Sequence, residues 1–377
     1  MKTSPLYFDF NATTPLRAGV KQIMQETFEF FGNPSSVHSL GCQARTYIER
    51  ARYNLADFIQ AQPEDIVFTS CGSEANNTIL KHYLANGAKI FVSAIEHACV
   101  LQAAPEAEKL PVTPEGYVDV TYLKTRLKET RQSFQGPILV AVMYVNNETG
   151  VIQPIDEIVE LAKSYRAYVH CDAVQALGKK KIDYGKCGVD SLTFSAHKIG
   201  GPKGIGAYIA KPHLKITPLI HGGGQERGNR SGTENVSGIA GFGAALEECT
   251  SDDWTGIEKL RNYFETQLQK RIPDLHIYGF KSARIHNTSY FSIPGFSDPL
   301  QVIAFDLEKI CVGSGSACSS GKSKPSHVLK AMGYTDQEAS HAIRVSFGWT
   351  TTQQEVDYLI DACERIYLRH SKGKMSS

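Results

Sequence analysis

The sequence predicts an α/β protein, with a large domain on a mostly parallel mixed sheet and a smaller C-terminal α+β domain. Two observations carry this. Strand-like and helix-like segments alternate as far as about residue 250, the pattern of successive β-α units sharing one sheet. Among them, residues 138–145 (ILVAVMYV) are apolar almost throughout, as suits a strand covered on both faces. Past about residue 252 the pattern turns into a long helix, scattered short strands and a last helix. Residues 15–252 are therefore expected to form the large domain, and 1–14 with 253–377 the small one.

The elements follow in order. Residues 65–70 (DIVFTS) read as a strand, 74–84 as a helix, 89–93 (KIFVS) as a strand, and 138–145 as the central strand. A helix is expected at 155–164, strands at 167–171 and 191–195, and a further strand at 208–210 after a run of glycines. Residues 254–271 have the period of one long amphipathic helix. Short strands follow at 287–291 and 343–347, with a Gly/Ser loop at 313–324 between them. The last helix, 354–369, has Thr351 or Thr352 upstream as its cap.

Composition narrows the function classes. Hydrophobic residues make up 42%, charged residues 21%, and the formal net charge is +1. No strong field points to nucleic acid or an anionic membrane. No stretch reaches the roughly 18 consecutive apolar residues of a spanning helix, and the N-terminus has no leader-like pattern. The nine cysteines are odd in number, scattered, and form no CxxC pair. That argues against a disulfide framework or a structural zinc site and for a reducing, cytoplasmic setting.

Polar clusters stand at the ends of five predicted strands, where ligands bind in parallel sheets. Ser195-Ala196-His197-Lys198, followed by glycines, offers an amine for a carbonyl cofactor such as pyridoxal phosphate, and two phosphate donors. A solvated Gly-rich turn would look similar. Gly72 and Ser73 stand between a strand and a helix N-terminus, a ready anion site, though Ser73 could be a plain N-cap. Asp172 could hold a pyridinium nitrogen protonated, with Gln175 on a phenolic oxygen, or could cap the next segment. His97 could stack on an aromatic cofactor or move protons, or be structural. Asn147 lies in the cluster NNETG. The loop HGGGQERGNRSGT (221–233) reads as backbone in close approach to something. Cys318, among small polar residues, suits an exposed nucleophilic thiolate, or an incidental surface thiol. Arg344, out of phase with Ile343, Val345 and Phe347, could grip a carboxylate, or lie on an exposed edge strand.

Taken together, SAHKIGGPKGIG, HGGGQERGNRSGT, VNNETG, HCDAVQ, IEHACVL, TSCGSEANN and GSGSACSSG resemble the NifS/IscS-type cysteine desulfurases, class V pyridoxal-phosphate enzymes of fold type I. The resemblance runs from FDFNATTP to IRVSFG, nearly the whole chain. It implies conversion of L-cysteine to L-alanine, with a persulfide left on Cys318 for an acceptor in iron–sulfur cluster assembly or tRNA thiolation. It implies pyridoxal 5'-phosphate joined to Lys198 as a Schiff base, with His97 stacked on the ring, Asp172 on its nitrogen and Gln175 on its phenolic oxygen. Gly72, Ser73, Ser195 and His197 would hold the phosphate, and Thr233 would reach in from the other subunit of a homodimer. Asn147 would lie by cofactor and substrate, and Arg344 with Asn33 would bind the substrate carboxylate. No metal is implied at this site, nor direct contact with nucleic acid or membrane. Where the family often has Ala-Thr, this chain has Gly72-Ser73, which keeps the hydroxyl. The chain ends soon after its last helix, where relatives serving an iron–sulfur scaffold often carry a longer tail, so the acceptor stays open. Alternatives on the same fold are a selenocysteine lyase, a class V aminotransferase, and a non-catalytic sulfur-relay or assembly protein.

Overall fold

A computed structural model of the chain describes residues 5–294, 298–314 and 325–375. Cys318 lies outside these residues. Seven strands form the main sheet, in the spatial order Ile66–Thr69, Gly206–Ala210, Ser191–Ser195, Tyr168–Asp172, Ile138–Ala141, Lys89–Ser93 and Glu108–Leu110. Only Gly206–Ala210 runs antiparallel to its neighbours; the other pairings are parallel. Ile66–Thr69, Ile138–Ala141, Ser191–Ser195 and Gly206–Ala210 are buried at every position. That explains why three of them show apolar runs rather than alternation; Ser191–Ser195 (SLTFS) alternates, and its polar side chains are buried too. Helices Gly72–Ala85, Val120–Ser133, Ile155–Ser164 and Val236–Cys249 turn buried faces to the cores around this sheet.

The central strand is shorter than the apolar run predicts. Val142 N and Tyr144 N still donate to His170 and Asp172 carbonyls, at 3.0 and 2.8 Å. Asn146 then ends the extension, because its Oδ1 accepts from Glu148 N and Thr149 N at 3.0 and 2.9 Å and turns the chain. The strand Glu108–Leu110 has no counterpart in the sequence reading. It is a three-residue sheet edge with Lys109 exposed, and leaves too little pattern to read.

A second sheet is antiparallel, ordered Gly313–Ser314, Ala342–Ser346, Thr288–Ser292, His276–Ile277. It packs with helices Trp254–Arg271 and Gln353–Met375 around Phe264, Phe291, Phe347 and Ile360. Thr352 is the upstream cap: its Oγ1 accepts from Glu355 N, and Glu355 Oε2 accepts from Thr352 N. The N-terminal segment belongs to this neighbourhood. Leu6–Tyr7 pairs in parallel with Ile310–Cys311, and Phe8 joins the same apolar cluster.

Candidate active site

The carboxyl ends of the parallel strands open into a cavity of about 280 Å³. Gly72, Ser73, His97, Asn147, Asp172, Gln175, Ser195, His197, Lys198 and Arg344 all line it. The alternative of an exposed edge arginine falls away. Ala342–Ser346 is an inner strand, and Arg344 is 4% exposed. Asn33 and Thr233 are exposed, and neither lines this cavity within its own chain.

One end is built for an anion. The helix Gly72–Ala85 begins there, and the N–H groups of Gly72 and Ser73 precede its first bond, from Ala75 N to Cys71 O. Such an N-terminus attracts phosphate. A Cβ at Gly72 would stand 2.9 Å from Val174 Cγ2 and 3.5 Å from Ser195 Cβ, so a side chain would fill the cradle. Gly206 matters for the same reason, since a Cβ there would lie 2.4 Å from the Cys71 carbonyl carbon. Ser195 and His197 close this end. Burial, with Lys198 and Lys203 nearby, pushes His197 down to about 4.

Lys198 projects toward the N-terminal segment. Its Nζ donates to the Asn11 carbonyl at 2.6 Å and the Ala12 carbonyl at 2.9 Å. Gln175 Nε2 donates to the same Asn11 carbonyl at 2.9 Å. Behind Gln175, the fully buried Lys179 donates to Gln175 Oε1 at 2.9 Å and Asn11 Oδ1 at 3.3 Å. With the Lys179 amine donating to its oxygen, Gln175 turns its NH2 the other way, to the Asn11 carbonyl beside the cavity.

His97 caps the helix Ala98–Ala103, with Nδ1 accepting Cys99 N at 3.2 Å. Cys99 Sγ lies 3.0 Å from the same nitrogen. The neutral ring therefore carries its proton on Nε2. Burial lowers the pKa of His97, helped by Lys198 and His327 and opposed by Asp172. Burial and the charge of Asp172 push the Cys99 thiol up to about 12, which keeps it protonated. The same two causes push the Glu96 carboxyl well above the usual carboxylate range. Asp172 Oδ1 accepts from Val174 N at 2.9 Å and Oδ2 from Asn76 Nδ2 at 2.7 Å.

At the other end, Arg344 is clamped by Asp9 Oδ1 at 2.7 Å and the Asn147 carbonyl at 2.9 Å. Asp9, Asn11, Asn76, Cys99 and Lys179 were not singled out by sequence reasoning. Asp9 and Asn11 stand in FDFNATTP and Asn76 in TSCGSEANN, so their motifs were visible but their roles needed three-dimensional neighbours.

An anion cradle, an amine, a buried carboxylate and a flat histidine in one cavity fit a pyridoxal-phosphate enzyme of fold type I. The comparisons agree. Residues 6–359 match the family described as Aminotransferase class-V. Cysteine desulfurase IscS of Dictyoglomus turgidum is 42% identical over 376 residues, covering 96% of this chain and 94% of the relative. The protein of that name from Clostridium botulinum is 38% identical over 378 residues, covering 96% and 94%. Among solved structures, a NifS-like protein from Rickettsia africae superposes with a TM-score of 0.88 at 37% identity, covering 96% of this chain and 99% of that one. A structure described as SspA in complex with cysteine gives 0.77 at 31%, covering 91% and 98%. The chain belongs to the class-V aminotransferase family and, within it, to the IscS/NifS-type cysteine desulfurases. Its cofactor is pyridoxal phosphate.

Among the described residues no helix is long and apolar enough to cross a membrane, and no cluster of three His, Cys, Asp or Glu could hold a metal ion.

Proposed function

We propose that this enzyme takes sulfur from L-cysteine onto Cys318, releases L-alanine, and passes the sulfur to an acceptor in iron–sulfur cluster assembly or tRNA thiolation. The observation that carries this reading is the convergence of Lys198, Asp172, His97 and Arg344 on one cavity. Gly72, Ser73, Ser195 and His197 would hold the cofactor's phosphate, Asp172 its ring nitrogen, Gln175 its phenolic oxygen and Lys198 its aldehyde carbon. When bound, the cofactor supplies the sink for the electron pair released at the substrate's α-carbon.

The chain's own residues do the rest. Arg344, held in plane by Asp9, grips the substrate carboxylate, with Asn147 and Asn33 beside it. The Lys198 amine would move the α-proton, and the Nε2–H of His97 would donate a hydrogen bond within the cavity. The Cys318 thiolate then attacks the substrate sulfur. The S–S bond forms as the C–S bond breaks, and the three-carbon product leaves as alanine after protonation. Cys99 cannot substitute, because its thiol stays protonated.

The enzyme works as a cytoplasmic homodimer in which Thr233 completes the phosphate site of the other subunit. Residues 15–252 act as the cofactor domain, and 1–14 with 253–377 as the domain that carries the nucleophile. Borohydride reduction and peptide mapping will place the pyridoxyl group on Lys198; label on another lysine refutes that assignment. Cys318→Ala will keep the cofactor but lose alanine release and persulfide. If alanine forms from cysteine at the unmutated rate, a lyase or aminotransferase reading replaces this one.

A further inference from the structure

Beneath Asp172 lies a run of buried polar side chains that the chemistry above does not use. Its origin is visible in the strands. His170 and Asp172 are two residues apart, as are Ser191 and Thr193, so each pair faces one side of its strand. The strands pair in parallel with His170 opposite Ser191 and Asp172 opposite Thr193. Helix Gly72–Ala85 lays Asn76 across this polar face. Asn76 and His170 are each 1% exposed, and Ser191 and Thr193 are fully buried. Burying such groups is costly unless each finds a partner, and here each does.

The direction of every proton follows from the donors. Asp172 accepts, so Asn76 turns its NH2 to Oδ2 at 2.7 Å. The Asn76 carbonyl oxygen then faces inward, where it accepts from Thr193 Oγ1 at 2.8 Å and lies 2.9 Å from His170 Nε2. A carbonyl only accepts, so Nε2 carries hydrogen. Burial pushes His170 down to about 3, so the ring is neutral and Nδ1 is bare. Nδ1 lies 2.8 Å from Ser191 Oγ and accepts its hydroxyl proton. The run reads Ser191 to His170 to Asn76 to Asp172, with Thr193 feeding the same amide. Each dipole points its positive end toward the carboxylate, and such chains polarise cooperatively. The other titratable groups within range of Asp172 are Glu96, His97, Cys99 and Cys171, with Lys198 on the same cavity. Burial pushes the Glu96 carboxyl and both thiols up, toward their uncharged forms.

We propose that Asn76, backed by Thr193, His170 and Ser191, is the positioning relay of Asp172, orienting its carboxylate and fixing the negative charge that faces the cofactor's ring nitrogen. This rests on the reading of Asp172 above, and the test separates the two. The holoenzyme is reconstituted with pyridoxal phosphate labelled with ¹⁵N in the ring, and its nitrogen resonance is followed against pH. Asp172→Asn, Asn76→Ala and the isosteric Thr193→Val are compared with the unmutated enzyme, and ¹⁵N-histidine labelling reads the His170 tautomer. In the unmutated enzyme His170 gives the neutral Nε2–H pattern. Asn76→Ala lowers by about one unit the pH at which the ring nitrogen loses its proton. It also lowers kcat for cysteine about tenfold, with KM held within about twofold. Thr193→Val moves both readouts the same way by less, and decides the matter alone if Asn76→Ala fails to hold cofactor. If Asp172→Asn shifts the ring resonance while Asn76→Ala and Thr193→Val leave it in place, the relay is overturned and Asp172 keeps its role. If Asp172→Asn leaves it in place as well, both fall.

Discussion

Lys179 makes stability depend on pH in a way that a single substitution exposes. Lys179 is 4% exposed and stands one helical turn's spacing beyond Gln175, and burial, then the charges of Lys198 and Arg344, push its amine down to about 7. In the unfolded chain a lysine titrates at about 10.4. Between those values the unfolded state holds a proton that the native state has released, so stability rises with pH through this window. Below about pH 7 both states are protonated and the penalty for burying the charge is felt in full. Lys179→Met removes the titration while keeping an unbranched stem. Hydrogen bonds lost to Gln175 and Asn11 add a cost that does not vary with pH, so the comparison uses a double difference. From about pH 7.5 to about pH 9.5 the unmutated protein gains about 2.5 kcal/mol over the variant. With about 2.1 cal/mol/K of unfolding entropy per residue and 377 residues, that is about 3 °C in Tm. Calorimetric melts of both proteins at the two pH values measure it. A Tm difference that stays constant within about 1 °C would mean that Lys179 titrates like a solvated lysine, and the reasoning fails.

Three further outcomes are expected. Arg52→Met strands the buried Glu226 carboxylate, which now takes two bonds of 2.8 Å from Arg52 and one of 2.9 Å from Phe68 N. The loss of about 3–5 kcal/mol lowers Tm by about 4–6 °C, and adding Glu226→Met restores most of it; a double variant no more stable than the single one contradicts this. Arg344→Lys keeps the charge but loses the planar fork, so KM for cysteine rises at least about tenfold while kcat falls less; steady-state kinetics showing an unchanged KM would remove Arg344 from the substrate site. Finally, co-refolding Lys198→Ala subunits with Thr233→Ala subunits restores activity, because each mixed dimer rebuilds one complete site; activity no greater than the sum of the parents refutes the shared site.

The strands that carry the site were legible because they are short runs of strand-forming residues that end abruptly. KIFVS and SLTFS were read with the boundaries observed, and the helices at 155–164 and 254–271 likewise. The helix after DIVFTS begins two residues earlier than its pattern, at Gly72, since a glycine and a serine carry no apolar period. Lys198, His97 and Asp172 could be picked out because each stands at a strand's end or within four residues of it. Asn76 and Lys179 could not, because each sits one turn into its segment and looks like a solvent-facing polar residue. Only the neighbouring strand or the N-terminal segment reveals that they are buried. Arg344 was legible in phase but not in depth, since alternation along one strand does not say whether a further strand covers its edge.

The link between Asp9 and Arg344 joins residues 335 positions apart, and Asn11 N reaches Ser346 Oγ across the same span. Lys198, Asp172 and the cradle at Gly72 lie within the first two hundred residues. A growing chain thus makes the groups proposed to hold the cofactor well before the arginine proposed to grip substrate leaves the ribosome. The N-terminal segment waits for strands made near the end of synthesis. On the proposed reading, a chain cut short before these last strands would lack the arginine that grips the amino acid, so cysteine binding would wait for synthesis to reach them.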